Sequence, residues 1–446
     1  MSENIEATPL DLDQLKSAVA GNAAAFRCRR KLQPGGGAGD KVFPPTYAGA
    51  VYAVEQRRVP GREEPVTCVL LDSVQSQANR MEQALQEAIN LGELKLPIIV
   101  VDFSLVSPTG NLDADQKAGR LLDAIGELTS LQVPHRLADA ILRDSEIEEG
   151  EGDQKKILPF RKSQYGNALN TASPLNATPI YQLCPTALLF GMWDSTGPKG
   201  GLGAKFERAI VSETVGIGAQ VGDLLRGVRR DPLEASREVP ILKDADGSWH
   251  VADNPKTKGV IRPSKINHGS VPFPEVRDRK TEDNHNAGVT LEYAEQLTTL
   301  SLIALRRLRF PLELKDKPTT DEDKMKAKGN ALECDKAGRV VLAALGLCAA
   351  TLAFESGMGL RSRCLLWPEA PMEWELLAKP GETPQRVMLD SAGARKLLAD
   401  AVASAKQAGL EWRSEPLQLQ PSKELLKLVR LSQQQAVKAG GDEGAE

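Results

Sequence analysis

Val66 to Leu85 reads VTCVLLDSVQSQANRMEQAL, and its period changes halfway along. Val66 to Leu71 is a short apolar run of strand character, whereas from Ser73 onward apolar residues recur at helical spacing: Val74, Ala78, Met81 and Leu85. The stretch therefore predicts a strand running into a helix. Ser73, Gln75, Ser76, Gln77, Asn79 and Arg80 fall in the opening turns of that helix. Free backbone N–H groups and the positive end of the helix dipole favour an anion there. Two readings stand side by side: a phosphate-holding helix start, or an ordinary one capped by Asp72 or Ser73, with Asp72 the expected cap.

Outward from this stretch, the composition sets bounds. The 446 residues suffice for two or three domains, or for one domain with large insertions. A net charge of −4 announces no global attraction to a polyanion, so any nucleic-acid site must be local. The six cysteines are scattered without a CxxC pair, and no secretory leader precedes them, which leads us to expect reduced thiols and a cytoplasmic protein. The most apolar windows, such as Val340 to Ala353, look too short to span a bilayer, so no membrane partner is expected.

Residues 1–25 read as a peripheral start with a short helix near Leu10 to Val19. Phe26 to Leu32, FRCRRKL, alternates as a strand with Arg27 and Arg29 on one face. The glycine loop QPGGGAGDKVFPPTY that follows fails the phosphate-loop pattern, because Asp40 separates Gly39 from Lys41 and no Ser or Thr follows the lysine. Leu96 to Leu105 is a buried strand run, and a helix is expected near Asp115 to Glu127. In Thr129 to Ser145, Pro134 suits a first helical position, with Arg136, Asp139 and Arg143 on neighbouring turns. Leu183 to Asp194 is expected as a further buried strand, followed by a glycine turn and an alternating strand carrying Lys205 and Arg208.

A basic, turn-rich region at about 224–286 holds a hairpin expected around Asp246–Gly247, and its length suggests function rather than scaffolding. Val289 to Leu308 reads as a helix, Val340 to Phe354 as a second apolar segment, and the charged stretch 314–330 as a connector between them. Glu355 to Trp367 pairs a glycine turn with a strand. The tail carries helical patterns at Ser391 to Ala408 and Lys423 to Val437, then an acidic end.

Catalytic patterns are thin. Four histidines occur without HExxH spacing, no GxSxG elbow is present, and Cys184 has no evident partner. A divalent cation could gather Asp72, Asp102, Asp139 and Asp144. Simpler roles are a cap for Asp72, a strand end for Asp102, and pairing of Asp139 and Asp144 with Arg136 and Arg143. Neither a metal nor a cofactor is expected. Against these stand the cations Arg27, Arg29, Arg30, Lys41, Arg80, Arg136, Arg143, Arg161, Lys162, Lys205 and Arg208, each close to a glycine loop, helix start or strand end, as a local basic groove requires.

Four motifs then carry a resemblance: LDSVQSQANRME at 71–82, PHRLADAILRDS at 134–145, PTALLFGMWDS at 185–195 and GAKFERAIVSETVG at 203–216. With RCRRKLQPGGG and KVFPPTY, they resemble the Cas-seven-type backbone subunit of type I-G (formerly I-U) CRISPR interference complexes, a member of the repeat-associated mysterious protein superfamily. The resemblance covers about residues 26–370. It implies an α+β fold, a ferredoxin-like, RNA-recognition-type palm with finger and thumb insertions; beyond it, 371–446 reads from its own pattern as a helical extension with a disordered acidic tail. It also implies a non-catalytic subunit that stacks in several copies along a CRISPR RNA, beside other subunits of the complex, and presents the guide to target DNA.

Related subunits carry a Ser-Ser-Gln then Lys-Arg signature on the first helix, which contacts guide phosphates. Ser76, Gln77 and Arg80 match it as S-Q-x-x-R, with Ala78 and Asn79 departing from it. Arg27, Arg29, Arg136, Arg143, Lys205 and Arg208 are the further RNA-binding candidates. The rival readings are a metal-dependent nuclease of the same superfamily and an endoribonuclease that processes the guide precursor.

Overall fold

The computed structural model describes residues 7–48, 51–150, 155–197, 203–222, 228–244, 248–272, 288–312 and 320–442. Most of them build one unit, comprising residues 1–103, 127–220 and 288–422; a second unit comprises 104–126, 221–287 and 423–446.

The elements of the first unit that matter for the site are, in chain order, β1 (Ala25–Pro34), β2 (Val54–Arg57), β3 (Val66–Asp72), α1 (Val74–Asn90), β4 (Ile99–Asp102), β5 (Ser145–Glu149), β6 (Ile210–Ile217), β7 (Tyr293–Ser301), α2 (Asp321–Phe354), β8 (Met358–Arg361), β9 (Cys364–Pro368), β10 (Glu373–Leu376), β11 (Gln385–Met388), α3 (Ser391–Gln407) and β12 (Leu417–Pro421). A ten-stranded sheet runs Thr8–Pro9, β11, β10, β1, β7, β6, β3, β2, with the β8–β9 hairpin joined to β1. Following the chain through β1, α1, β6, β7, α2 and β10 gives a β-α-β-β-α-β path whose strands lie in the spatial order fourth, first, third, second. The fold is α+β.

The expected strand-to-helix junction is β3 and α1. Met81 and Leu85 are buried, so the periodicity of the quoted stretch does seat the helix against the rest of the fold. Ser73, not Asp72, is the cap: its side chain accepts from the Ser76 amide, which leaves Asp72 free for another task. Alternation along β1 also holds, with Phe26, Cys28, Arg30 and Leu32 buried and Arg27, Arg29 and Lys31 on the opposite face. Arg30 is the exception to the apolar rule. Its guanidinium donates to the Phe354 and Glu355 carbonyls, groups that the end of α2 leaves without helical donors.

Several expectations are corrected. Val289 to Leu308 is not a helix: β7 is paired along its length with β1 and β6, and only Leu302–Leu305 turns helical. Ala294, Gln296, Thr298 and Leu300 are all buried, a period of two within a run that also satisfies a helical count. Leu183 to Asp194 is not a strand. It lies across helices Thr178–Leu183 and Thr186–Phe190 and then the two-residue strand Met192–Trp193.

In the 129–145 stretch, Pro134 starts no long helix. The chain makes a 3-10 turn at Arg136–Ala138 and a short helix at Ala140–Arg143, which Asp139 caps through the Ile141 amide. The expected helix near Asp115 to Glu127 is shorter and earlier, Leu112–Ala118.

The charged stretch 314–330 is a connector only in part. From Asp321 it is already α2, 34 residues long, and 313–319 lie outside the described residues. A window of α2 is long and apolar enough to cross a bilayer, contrary to the reading of the sequence, yet 78% of it is buried inside the fold, as in a core helix.

Nor is the chain beyond 371 a helical appendage. β10 and β11 extend the main sheet beside β1, α3 packs on α2, and β12 lies parallel to β4 in a second, five-stranded sheet that also holds β5. The terminal residues 443–446 are outside the described set.

In the second unit, Ile241–Lys243 pairs with Trp249–Val251 as the expected hairpin, its turn at 245–247 lying outside the described residues. The amphipathic helix Lys423–Asp442 belongs here, and its Gln433 accepts from the Leu122 and Asp123 amides.

Candidate nucleic-acid interface

Asp72 closes β3 with a side chain only 1% exposed, and a buried carboxylate needs donors. It receives them from the first two turns of α1: Ser76 Oγ at 2.7 Å, Gln77 Nε2 at 2.5 Å and Arg80 Nε at 2.8 Å. Arg361 approaches from β8, with Nη2 3.7 Å from Oδ1. The three residues of the S-Q-x-x-R match are therefore brought together around one internal anion.

Gln77 does not face outward, as expected from sequence. It is fully buried, and its Oε1 accepts from Ser212 Oγ at 2.8 Å and Gln296 Nε2 at 2.9 Å, so a polar thread runs from α1 into β6 and β7. Arg80 is the outermost member. With its side chain 25% exposed, it also donates to the Leu360 carbonyl and borders a cleft of about 340 Å³ together with Gln83, Glu87, Met358 and Gly359.

One turn further along α1, Glu82 anchors the other motifs. It is buried, and Arg136 closes on it through two parallel contacts of 2.7 and 2.9 Å. Burial pushes the Glu82 carboxyl up from its ordinary value, against the lowering effect of Arg136 and Arg208. Arg136 also donates to the Gly191 carbonyl at 3.0 Å, lies over the Phe190 ring at 5.4 Å, and holds a positive φ of 51°. A residue rarely adopts that backbone without surrounding contacts that hold it there.

Arg208 donates from Nε to the Phe190 carbonyl at 3.2 Å, and a Cβ on Gly191, whose φ is +80°, would lie 3.1 Å from Arg208 Cγ. Burial, and then the nearby Arg136, lower the Arg208 pKa. Arg143 reaches Asp194 at 3.1 Å and Thr196 at 2.6 Å, while Lys205 sits 5.1 Å from the centroid of the Trp193 ring. The pairings expected at helical spacing are thus replaced. Arg136 takes Glu82, Arg143 takes Asp194, and Asp144 takes Arg161 at 2.7 Å.

The four motifs that lie far apart in sequence are consequently neighbours, with α1 carrying Asp72's donors at one end and Glu82 further along. Arg27 and Arg29 are not among them. They share the outer face of β1, as expected, but Arg27 pairs with Glu375 at 2.6 Å and Arg29 with Glu295 at 3.8 Å. Glu82, Phe190, Gly191, Ser212 and Gln296 were not singled out from sequence. Glu82 stood within the first motif, yet nothing local marks a glutamate whose partner is 54 residues away.

Residues 26–221 match the family model described as CRISPR-associated protein GSU0053. The match supports a CRISPR-associated protein, and its span contains all four motifs. No curated protein matches the chain.

Proposed function

We propose that this chain is the RNA-holding backbone subunit of a type I-G CRISPR interference complex, cytoplasmic and non-catalytic. In this reading its β-α-β-β-α-β core is a ferredoxin-like palm, and the turn-rich insertion at about 224–286 supplies a thumb or finger touching the guide or the next copy. Several copies stack head to tail along one CRISPR RNA, a heterologous contact that need not close. They hold the backbone and leave the bases to pair with target DNA, beside the other subunits of the complex.

The observation that carries the reading is the convergence of the four motifs on α1 within the span of the CRISPR-associated family match. Further support comes from the chemistry at that junction. Arg80 is partly exposed at the rim of a cleft, Lys205 lies over the Trp193 ring and Arg208 holds no carboxylate among the described residues, and cations of this kind bind phosphates without reading sequence.

The test is binding of the full-length chain to guide-length RNAs of two unrelated sequences across a salt series. Both should bind alike, and Arg80→Ala should weaken both alike with a shallower dependence on salt. Equal binding by a folded Arg80→Ala variant would remove Arg80 from the interface. Incubation with CRISPR repeat RNA addresses catalysis: intact RNA is expected, and specific cleavage at the repeat would overturn the non-catalytic reading in favour of a processing endoribonuclease.

A further inference from the structure

The cations named above differ in what they already hold. Arg27, Arg29, Arg80, Arg136 and Arg143 each have a carboxylate partner. Lys205 and Arg208 make no ion pair within 4.0 Å among the described residues; Lys205 faces a ring and Arg208 a carbonyl. The cluster of Glu82, Arg136 and Arg208 thus holds two guanidiniums against one carboxylate. Burial and Arg136 both disfavour the Arg208 charge, a cost that a bound anion would relieve.

Beside it lies an aromatic surface. Trp193 and Lys205 are cross-strand partners in a two-stranded ribbon, Met192–Trp193 against Lys205–Phe206, which the Asp194 amide extends by donating to the Ala204 carbonyl. Trp193 is 53% exposed, although its neighbours Met192 and Phe206 are buried. An indole fixed on a strand and half open to solvent, with the Lys205 ammonium 5.1 Å from its ring centroid and Arg208 three residues further along the chain, has the chemistry of a base-stacking platform.

We propose that this ribbon holds one nucleotide of single-stranded RNA, with its base stacked on Trp193 and its flanking phosphates on Lys205 and Arg208. The proposal rests on the RNA-holding reading above and adds to it the residue that meets a base. Because every base has a π-face, the site takes purine and pyrimidine alike.

The test uses the full-length chain with oligouridylate, oligoadenylate and an abasic ribose-phosphate oligomer as probes. Trp193→Ala should weaken both base-bearing probes roughly ten-fold, while Trp193→Phe keeps most of the affinity and the abasic probe binds both variants as it binds wild type. Lys205→Ala and Arg208→Ala should each reduce the slope of log affinity against log salt by about one for all three probes. Binding of the base-bearing probes by folded Trp193→Ala at wild-type strength overturns the platform while the RNA-holding reading stands. If wild type binds none of the probes, both fall together. Equal weakening of the abasic probe by Trp193→Ala also overturns it, since a stacked base cannot account for that loss.

Discussion

At the scale of the residue, the candidate site is organised by two buried acids on or beside one helix, and each gives a distinct prediction. Gln77 ties Asp72 to Ser212 and Gln296 in a fully buried thread. Gln77→Leu keeps the volume and strips the partners, at on the order of 1–3 kcal/mol for each polar group left unpaired. Urea denaturation should show the loss, and a variant as stable as wild type would mean that the thread contributes nothing net. For Glu82, burial raises the carboxyl in the folded state. The folded chain then binds the proton more tightly than the unfolded one, so the contribution of this group is greatest on the acid side and is lost as pH rises through the raised value. The melting temperature of wild type minus that of Glu82→Gln should therefore fall as pH rises from about 4 toward neutrality. A difference that grows over that range contradicts the assignment. Both residues also show how far the sequence reads. Ser76, Gln77 and Arg80 were recognisable as a set, but that their donors turn inward depended on Asp72 being released from capping by Ser73.

At the scale of the element, strands and helices with a single clean period were legible, and those with two were not. β1, β3, α1 and α3 follow from alternation or helical spacing alone. β7 shows the limit: Ala294, Gln296, Thr298 and Leu300 face inward because β1 and β6 bind it on both sides, a long-range fact that overrides a local helical pattern. The reverse holds in α2, where an exposed charged start and a buried apolar end belong to one helix. Its glycines separate propensity from packing. A Cβ on Gly329 meets nothing within 4 Å, whereas one on Gly338 would lie 2.6 Å from the Phe310 ring. Gly329→Ala should stabilise by about 0.5–1 kcal/mol through helix propensity. The same change at Gly338 should destabilise despite equal propensity, because Phe310 is fully buried and has no room to give. Thermal unfolding of the two variants decides this, and the same sign at both positions would show that the α2–Phe310 contact is looser than described.

At the scale of the whole molecule, the resemblance picked out motifs that the fold brings together, but its end at about residue 370 is not the end of the fold. No recognisable motif lies beyond that point, yet two strands there complete the main sheet and a third enters the second sheet. β10 is paired with β1 through Phe26↔Leu376 and Arg27↔Glu375, and its Trp374 is fully buried. Leu397, Leu398 and Ala401 of α3 are likewise buried, in a helix that covers α2. A chain ending at 371 would expose that side of α2 and leave the β1 edge unpaired beside β9, the template on which strands of other chains add. It should be recovered as aggregate, or without a cooperative thermal transition. A chain ending at 422 retains β10, β11, α3 and β12, and should keep slow amide exchange in β1 and β7. If the 371 chain unfolds as cooperatively as the 422 chain, the strands beyond 371 are accessory and the boundary implied by the resemblance is the right one.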